Sequence, residues 1–236
     1  MNNFDDKAWL DYQNRQSRLL YNADSYEKNS LRSWAMQAGH KFAEKNISSQ
    51  KHYSRVLEIG AGSGRHLPFI KHSFDQYILS DVNTCLLQEA KAKNSNIHKG
   101  KLRYEIQDAK NLGYDDSYFD RLIAVHVLEH IYEPHLAIQE WLRVIKNGGM
   151  LSVLIPTDPG LAWRMGRRLG PRKNALNKGI AYDYIMAREH VNSVINLIAF
   201  LRHYISSPQK YEYWWPCPIA SIDMNLFFSC NAVIHK

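Results

Sequence analysis

Three glycines at alternate positions, Gly60, Gly62 and Gly64, follow directly on the apolar run Val56–Ile59 and precede a helical pattern. Glycine permits a tight turn and lets a ligand touch the backbone, and the helix start adds free amide donors. The same turn also serves plain strand–helix packing, so it needs company to mean more. Asp81 supplies some: it ends the next apolar run, 23 residues after Glu58. A carboxylate at the tip of a second strand can accept hydrogen bonds from both ribose hydroxyls of a nucleoside, although a turn or helix-cap role is the plainer alternative. A third group is His126-Val127-Leu128-Glu129-His130. If a helix begins there, His126 and His130 share a face with Glu129 beside them. Such a set can ligate a divalent ion or supply a proton acceptor near neutral pH. His190, in Arg188-Glu189-His190, is a further candidate base.

These residues need a frame. Short apolar runs at Val56–Ile59, Tyr77–Leu79, Leu102–Ile106, Leu122–Val125 and Met150–Ile155 alternate with helical stretches. That rhythm predicts βαβ units and a parallel sheet, whose ligands bind at the carboxyl ends of the strands. Gly60, Asp81, Asp108 and His126 all fall just after predicted strands, so they should converge on one edge. Residues 1–50 read as N-terminal helices; Ser30 to Glu44 carries Leu31, Trp34, Ala35, Ala38 and Phe42 at helical spacing. Residues 157–205 break the rhythm with a Gly/Pro/Arg-rich loop and then one long helical pattern through Ile185, Val191, Ile195, Ile198 and Leu201. Tyr211–Trp215 and Leu226–Ile234 close the chain as a hairpin.

Residues 56–156 resemble class I S-adenosylmethionine-dependent methyltransferases. The resemblance rests on Glu58 before the glycines, Gln107-Asp108-Ala109 with Leu112, Phe119-Asp120 opening the fourth strand, and Arg143 to Gly149 before the fifth. It implies an α/β fold: a Rossmann-like, seven-stranded, mostly parallel sheet with helices on both faces, an antiparallel last strand and a helical insertion between strands 5 and 6. It implies one methyltransferase domain over 1–236, with a cofactor-binding core at 51–156, a lid-like insertion at 157–205 and the last two strands at 206–236. The cofactor would be S-adenosylmethionine, held through Glu58, Gly60, Ala61, Gly62, Asp81, Val82, Asp108, Ala109 and His126. By the resemblance, Gly60 and Gly62 flank the methionine part, Asp81 holds the ribose, Asp108 accepts from the adenine amino group, and Val82 and Ala109 border the ring. Asn147 stands where a proline is usual; Asn tolerates a left-handed turn, so the turn should survive. Quinone O-methyltransferases and small-RNA 3′-end methyltransferases have a metal-binding Glu-x-x-Glu-His at the His126–His130 segment. His126 replaces the first Glu here, and many metal-free relatives look similar, so no metal is expected and His126, Glu129 and His130 are the fallback ligands.

Acceptor and compartment are read from composition. Six cations (Arg164, Arg167, Arg168, Arg172, Lys173, Lys178) and no acid lie between Pro159 and Tyr182, in a chain of net charge +7. Arginines beside Trp163, Trp214 and Trp215 suit a small-molecule, glycan or nucleotide-sugar acceptor carrying negative charge. Glu189 to Ser193 and Asp223 to Phe228 resemble bacterial methyltransferases of surface-glycan clusters. The charge also suits RNA, but the Asn/Asp-Pro-Pro-Tyr motif of base N-methylating enzymes is absent. A cofactor-binding protein without catalysis is the reading from another class. The sequence shows neither a secretory start nor a membrane-spanning run, and Cys85, Cys217 and Cys230 are few and scattered, so a cytoplasmic location is expected.

Overall fold

The computed structural model describes residues 6–15 and 31–236. Seven strands, β1 (His52–Ile59), β2 (Ser73–Asp81), β3 (Leu102–Ile106), β4 (Phe119–Val125), β5 (Ile145–Pro156), β6 (Lys210–Trp215) and β7 (Phe227–Val233), form one sheet in the order β3-β2-β1-β4-β5-β7-β6. Pairing is parallel from β3 through β5, and β7 runs antiparallel to both β5 and β6. The order reverses at β1, between β2 and β4, which opens a crevice at the strand tips.

The central strands are apolar on both sides because helices cover both faces. On one face Leu57, Ile59, Leu122, Ala124, Leu151 and Val153 pack with α4 (Pro134–Val144) and α8 (Val194–Tyr204). On the other, Val56, Ile123, Val125 and Leu154 pack with α2 (Leu31–Ala43) and α3 (Thr84–Lys93). The first helix, α1 (Lys7–Arg15), touches α7 (Tyr182–Glu189). The remainder of the helical reading for 1–50, including its start at Ser30, lies outside the described residues. Trp34, expected on the buried stripe of α2, is largely exposed and leans on Trp215.

Three local expectations are corrected. The arginine-rich stretch is helical: α5 (Leu161–Leu169) and α6 (Pro171–Asn177) meet at Gly170, and Pro171 starts the second helix where its missing N–H costs nothing. The single long helix divides at His190–Ser193 into α7 and α8, because the Ser193 hydroxyl accepts from Asn196 N and caps a new helix; Ile195 is consequently exposed. The turn expected before the fifth strand lies inside β5, as an irregularity between Ile145 and Met150: Gly148 takes the left-handed conformation (φ 80°), and the Asn147 side chain accepts from Lys236 N instead.

Candidate cofactor and acceptor site

The glycine turn follows β1, and its three glycines serve different needs. At Gly60 (φ 62°) a Cβ would meet Val127 Cγ2 at 2.5 Å, and at Gly64 (φ 73°) one would meet Asn94 Nδ2 at 2.7 Å, so both permit close packing. At Gly62 (φ 52°) nothing lies within 4 Å, which leaves the backbone open to a ligand. Ala61 N donates to Ser80 O, tying the turn to β2.

Asp81 at the tip of β2 accepts from Gly62 N at 2.9 Å through Oδ2 and from Asn83 N at 2.8 Å through Oδ1. Burial pushes its carboxyl above the usual range against the pull of these amides. Each oxygen keeps a lone pair for a hydroxyl donor. Val82 is 70% and Ile106 62% exposed at the same edge, leaving apolar surface for a flat ring. Asp108 is steadied by Lys110 N, and Ala109 O accepts from the buried Trp141 indole. Glu58, by contrast, is buried and accepts from the Tyr77 hydroxyl at 2.7 Å. Gly60, Asp81, Asp108 and His126 do gather at the tips of β1, β2, β3 and β4, as expected. An open backbone turn, a carboxylate with spare lone pairs and an uncovered apolar slot fit an adenosine-containing cofactor.

After β4 no α-helix begins. His126 adopts φ 58°, and only a 3₁₀ turn, Leu128–His130, follows. The two histidines meet all the same, through the carboxylate between them: Glu129 Oε1 is 3.6 Å from His126 Nδ1 and 3.7 Å from His130 Nε2. Glu129 is fully enclosed; burial pushes its carboxyl up, but His126, His130 and His190 beside it outweigh that and hold it below the usual carboxylate range. His130 Nδ1 donates to Glu189 O at 2.8 Å. Among the described residues no group of three or more His, Cys, Asp or Glu is arranged to hold a metal ion, so the fallback set of His126, Glu129 and His130 does not form one.

His190 arrives from the other half of the chain. The segment joining α7 to α8 is bolted to the 3₁₀ turn: Val191 N donates to Glu129 O, and Asn192 Nδ2 donates to Leu128 O and Ile131 O. His190 then lies beside His130, with ring centroids 5.0 Å apart. Its Nδ1 is 2.9 Å from Asp158 Oδ2, off the line of an ideal hydrogen bond, and the same oxygen accepts from Arg167 Nη1 at 2.8 Å. Burial raises Asp158, but His190 and Arg167 prevail and keep it a carboxylate. An ionised Asp158 favours the proton on Nδ1 and leaves Nε2 as the acceptor. A cavity of ≈ 550 Å³ opens here, lined by His190, Arg164, Arg167, Arg168, Arg172 and Tyr182, among others. Rings at 5–7 Å lead from it back to the strand tips: His190 to Trp163, Trp163 to Phe227, Phe227 to His126. Along this path His126 Nε2, Glu129 Oε2, Trp163 Nε1 and Arg167 Nη2 are buried polar atoms lacking a protein partner.

Several contributors were missed in the sequence. Asp158 and Asp183 flank the acid-free stretch and pair with Arg167 and Arg172, which neutralises these two cations. Behind the glycine turn runs a buried chain: Arg121 grips Glu44 with both Nη atoms (3.0 and 2.6 Å), His66 Nε2 donates to Glu44 at 3.0 Å, and His40 Nδ1 meets His66 Nδ1 at 3.2 Å. Arg121, the third residue of β4, and Glu44, just past α2, each stand next to another charged residue, Asp120 and Lys45, so from the sequence they read as solvent-facing and gave no signal.

Residues 57–153 match the family model described as a methyltransferase domain. Over 118 residues the chain is 30% identical to the ubiquinone/menaquinone biosynthesis C-methyltransferase UbiE of Stutzerimonas stutzeri, covering 48% of this chain and 46% of that protein. The UbiE of Vibrio campbellii is 32% identical over 109 residues, 44% of this chain and 42% of that protein. The chain thus spans about half the length of these curated relatives. Among solved structures, phosphoethanolamine N-methyltransferase 2 of Haemonchus contortus with S-adenosyl-L-methionine superposes with TM-score 0.66 at 13% identity, over 95% of this chain and 60% of that one. N-methyltransferase NodS of Bradyrhizobium japonicum with S-adenosyl-L-homocysteine gives 0.62 at 17% identity, over 95% and 98%. At these identities the structural likeness is one of fold.

Proposed function

Starting from a chain that carries a class I S-adenosylmethionine-dependent methyltransferase domain, we propose that the protein transfers a methyl group from S-adenosylmethionine to a hydroxyl of an anionic small-molecule or glycan-type acceptor. The observation that carries this reading is the arginine-lined cavity with His190 in its wall, joined to the strand tips by His126, Phe227 and Trp163. The match to the quinone-pathway enzymes covers about half of each chain, and the family model ends at residue 153, before this cavity's residues. Their acceptor therefore gives little guide to this one.

The bound cofactor supplies an electrophilic methyl on a sulfonium. Asp81 and the open backbone at Gly62 would hold its nucleoside and methionine ends, and Asp108 would accept from the adenine amino group. The acceptor's negative group is neutralised by Arg164 and Arg168, with the spare Nη2 of Arg167 donating to it. His190 Nε2 would take the hydroxyl proton as the acceptor oxygen gains the methyl, whose bond to the sulfonium sulfur breaks and leaves a neutral thioether, and Asp158 would stabilise the imidazolium. Fixing the two partners in line can supply ~7–11 kcal/mol of barrier lowering, so alignment carries most of the acceleration and the base completes it.

The test is a methyl-transfer screen over sugar nucleotides, phosphosugars, quinone precursors and RNA, with and without chelator, alongside Arg167→Glu/Arg168→Glu. The expected result is turnover of an anionic hydroxyl compound, unaffected by chelator. The charge reversal should raise the acceptor KM at least tenfold and leave S-adenosylhomocysteine affinity within twofold, and high salt should shrink the difference. Turnover of RNA or of a carbon nucleophile alone, or a variant with normal KM at low salt, would overturn the reading.

A further inference from the structure

The helix α5 is amphipathic, yet its apolar side faces outward. Leu161, Met165 and Leu169 follow one another at i, i+4 and i+8, so they form a single stripe. They are 47%, 53% and 74% exposed, and none of the nine residues of α5 is buried. The inward side consists of Trp163, which packs on the core beneath α2, and Arg167, which pairs with Asp158. A surface helix of a soluble domain ordinarily turns its stripe to the core.

The stripe is not isolated. The loop between β6 and β7 is fastened to the start of α5, where Asp223 accepts from Leu161 N through its side chain and from Ala162 N through its carbonyl. That loop holds Ile219 and Met224, each more than half exposed, and α6 adds Leu176. On the flank of the stripe stand Arg164 and Arg168, and Lys173 follows on α6; all three are exposed and make no salt bridge among the described residues. An apolar stripe edged by unpaired cations is the composition of a helix that lies in the plane of a membrane interface.

We propose that α5, α6 and the β6–β7 loop form a docking surface for an anionic lipid bilayer. Charge complementarity chooses this occupant over a second copy of the chain, because a two-fold contact through the same face would set Arg164, Arg168 and Lys173 against themselves. The apolar stripe chooses it over a small soluble anion, which would satisfy the arginines and leave Leu161, Met165 and Leu169 in water. Arg164 and Arg168 also line the acceptor cavity, so the cavity mouth would lie at the lipid surface. On the reading given under Proposed function, the acceptor is then an amphiphile whose anionic group sits at headgroup level, such as a lipid-linked phosphorylated glycan.

The experiment is flotation of the full chain with vesicles of phosphatidylcholine alone or with 30% phosphatidylglycerol, at low and high salt, for the wild type and for Met165→Asp/Leu169→Asp. We expect binding to the anionic vesicles, at least tenfold weaker binding to neutral ones, and loss of most binding in 0.5 M salt. The double variant should bind anionic vesicles at least tenfold more weakly while retaining its S-adenosylhomocysteine affinity, which reports a folded cofactor half. No flotation of the wild type, equal binding of the variant, or a wild-type dimer in sedimentation equilibrium that the variant converts to monomer would each overturn the proposal. Vesicle binding needs no turnover, so its failure is separable from failure of the methyl-transfer reading, which the acceptor screen decides.

Discussion

Gly60, Gly62, Asp81 and Asp108 come from fewer than fifty consecutive residues, whereas the proposed acceptor half draws on Asp158, Arg167 and His190 in the cavity wall and on Trp163, the turn at 128–131 and the buried Phe227 behind it. The two halves also treat polar groups differently. In the cofactor half the functional oxygens are already steadied by backbone amides, as Asp81 is by Gly62 and Asn83. In the proposed acceptor half Asp158, His190 and Arg167 lean on one another's side chains, and Trp163 Nε1, His126 Nε2 and Arg167 Nη2 are left without a protein partner. A site made from local backbone is pre-formed by the fold. A site made from distant side chains is completed by what it binds.

The sharpest way to break this comparison is at His190. His190→Ala should lower kcat for a hydroxyl acceptor by about 10²–10⁴-fold, the usual contribution of a positioned base, while S-adenosylhomocysteine affinity measured by calorimetry stays within twofold. Asp158→Asn should lower kcat less, because the ring keeps its place beside His130 through the Val191 and Asn192 bonds. A His190→Ala enzyme with kcat within threefold of wild type would mean that the acceptor half only binds and that the proton leaves by another route.

A smaller effect is expected from the cofactor half. Asp81→Ala should weaken S-adenosylhomocysteine binding more than tenfold, since two charge-assisted hydrogen bonds of about 1.5–3 kcal/mol each would go. Saturating cofactor should restore kcat, which separates this variant from His190→Ala. If affinity holds within twofold in a folded protein, Asp81 serves only the turn that it braces at Gly62 and Asn83.

The same contrast explains what was legible in the sequence. Strand, glycine turn and strand-tip acid are encoded locally, so the parallel sheet, its edge of Gly60, Asp81, Asp108 and His126, and the closing hairpin could all be read from periodicity and motif. The acceptor half could not, for reasons visible in particular residues. Arg164 to Lys173 looked like a loop because glycine, proline and arginine crowd there, yet Asp223, some sixty residues away, caps the helix start. His190 was legible as a candidate but not its partner, since nothing local links it to Asp158 or to the turn at Glu129. Ile106 escaped notice because an apolar residue ending a strand reads as core until its exposure is seen.

Beneath both halves lies the chain Arg121–Glu44–His66–His40, and it yields the last and smallest prediction. Burial alone would raise the Glu44 carboxyl, but Arg121 and the hydrogen bonds from His66 and Arg121 lower it to about 2. A carboxyl whose folded value lies below its unfolded value stabilises the fold fully above the unfolded one, and that stability is lost as pH falls toward the folded one. For Glu44 the window runs from about 4.5 down to about 2. Within it the wild type should lose up to about 1.4 kcal/mol per pH unit on account of this one group. Other carboxylates with lowered values, such as Glu129 and Asp158, add to the same acid limb, so the wild-type curve alone does not isolate it. The double variant Glu44→Gln/Arg121→Met does. It removes the ion pair as a unit, which need not cost much stability, and leaves a side-chain carbonyl to accept from His66. Urea unfolding of both proteins from pH 7 to pH 3 should give a constant stability difference above about pH 5. Below that, the wild type should lose ground to the variant at up to one proton per molecule. Parallel curves across the whole range would show that Glu44 is not the strongly ionised anchor its two arginine bonds make it.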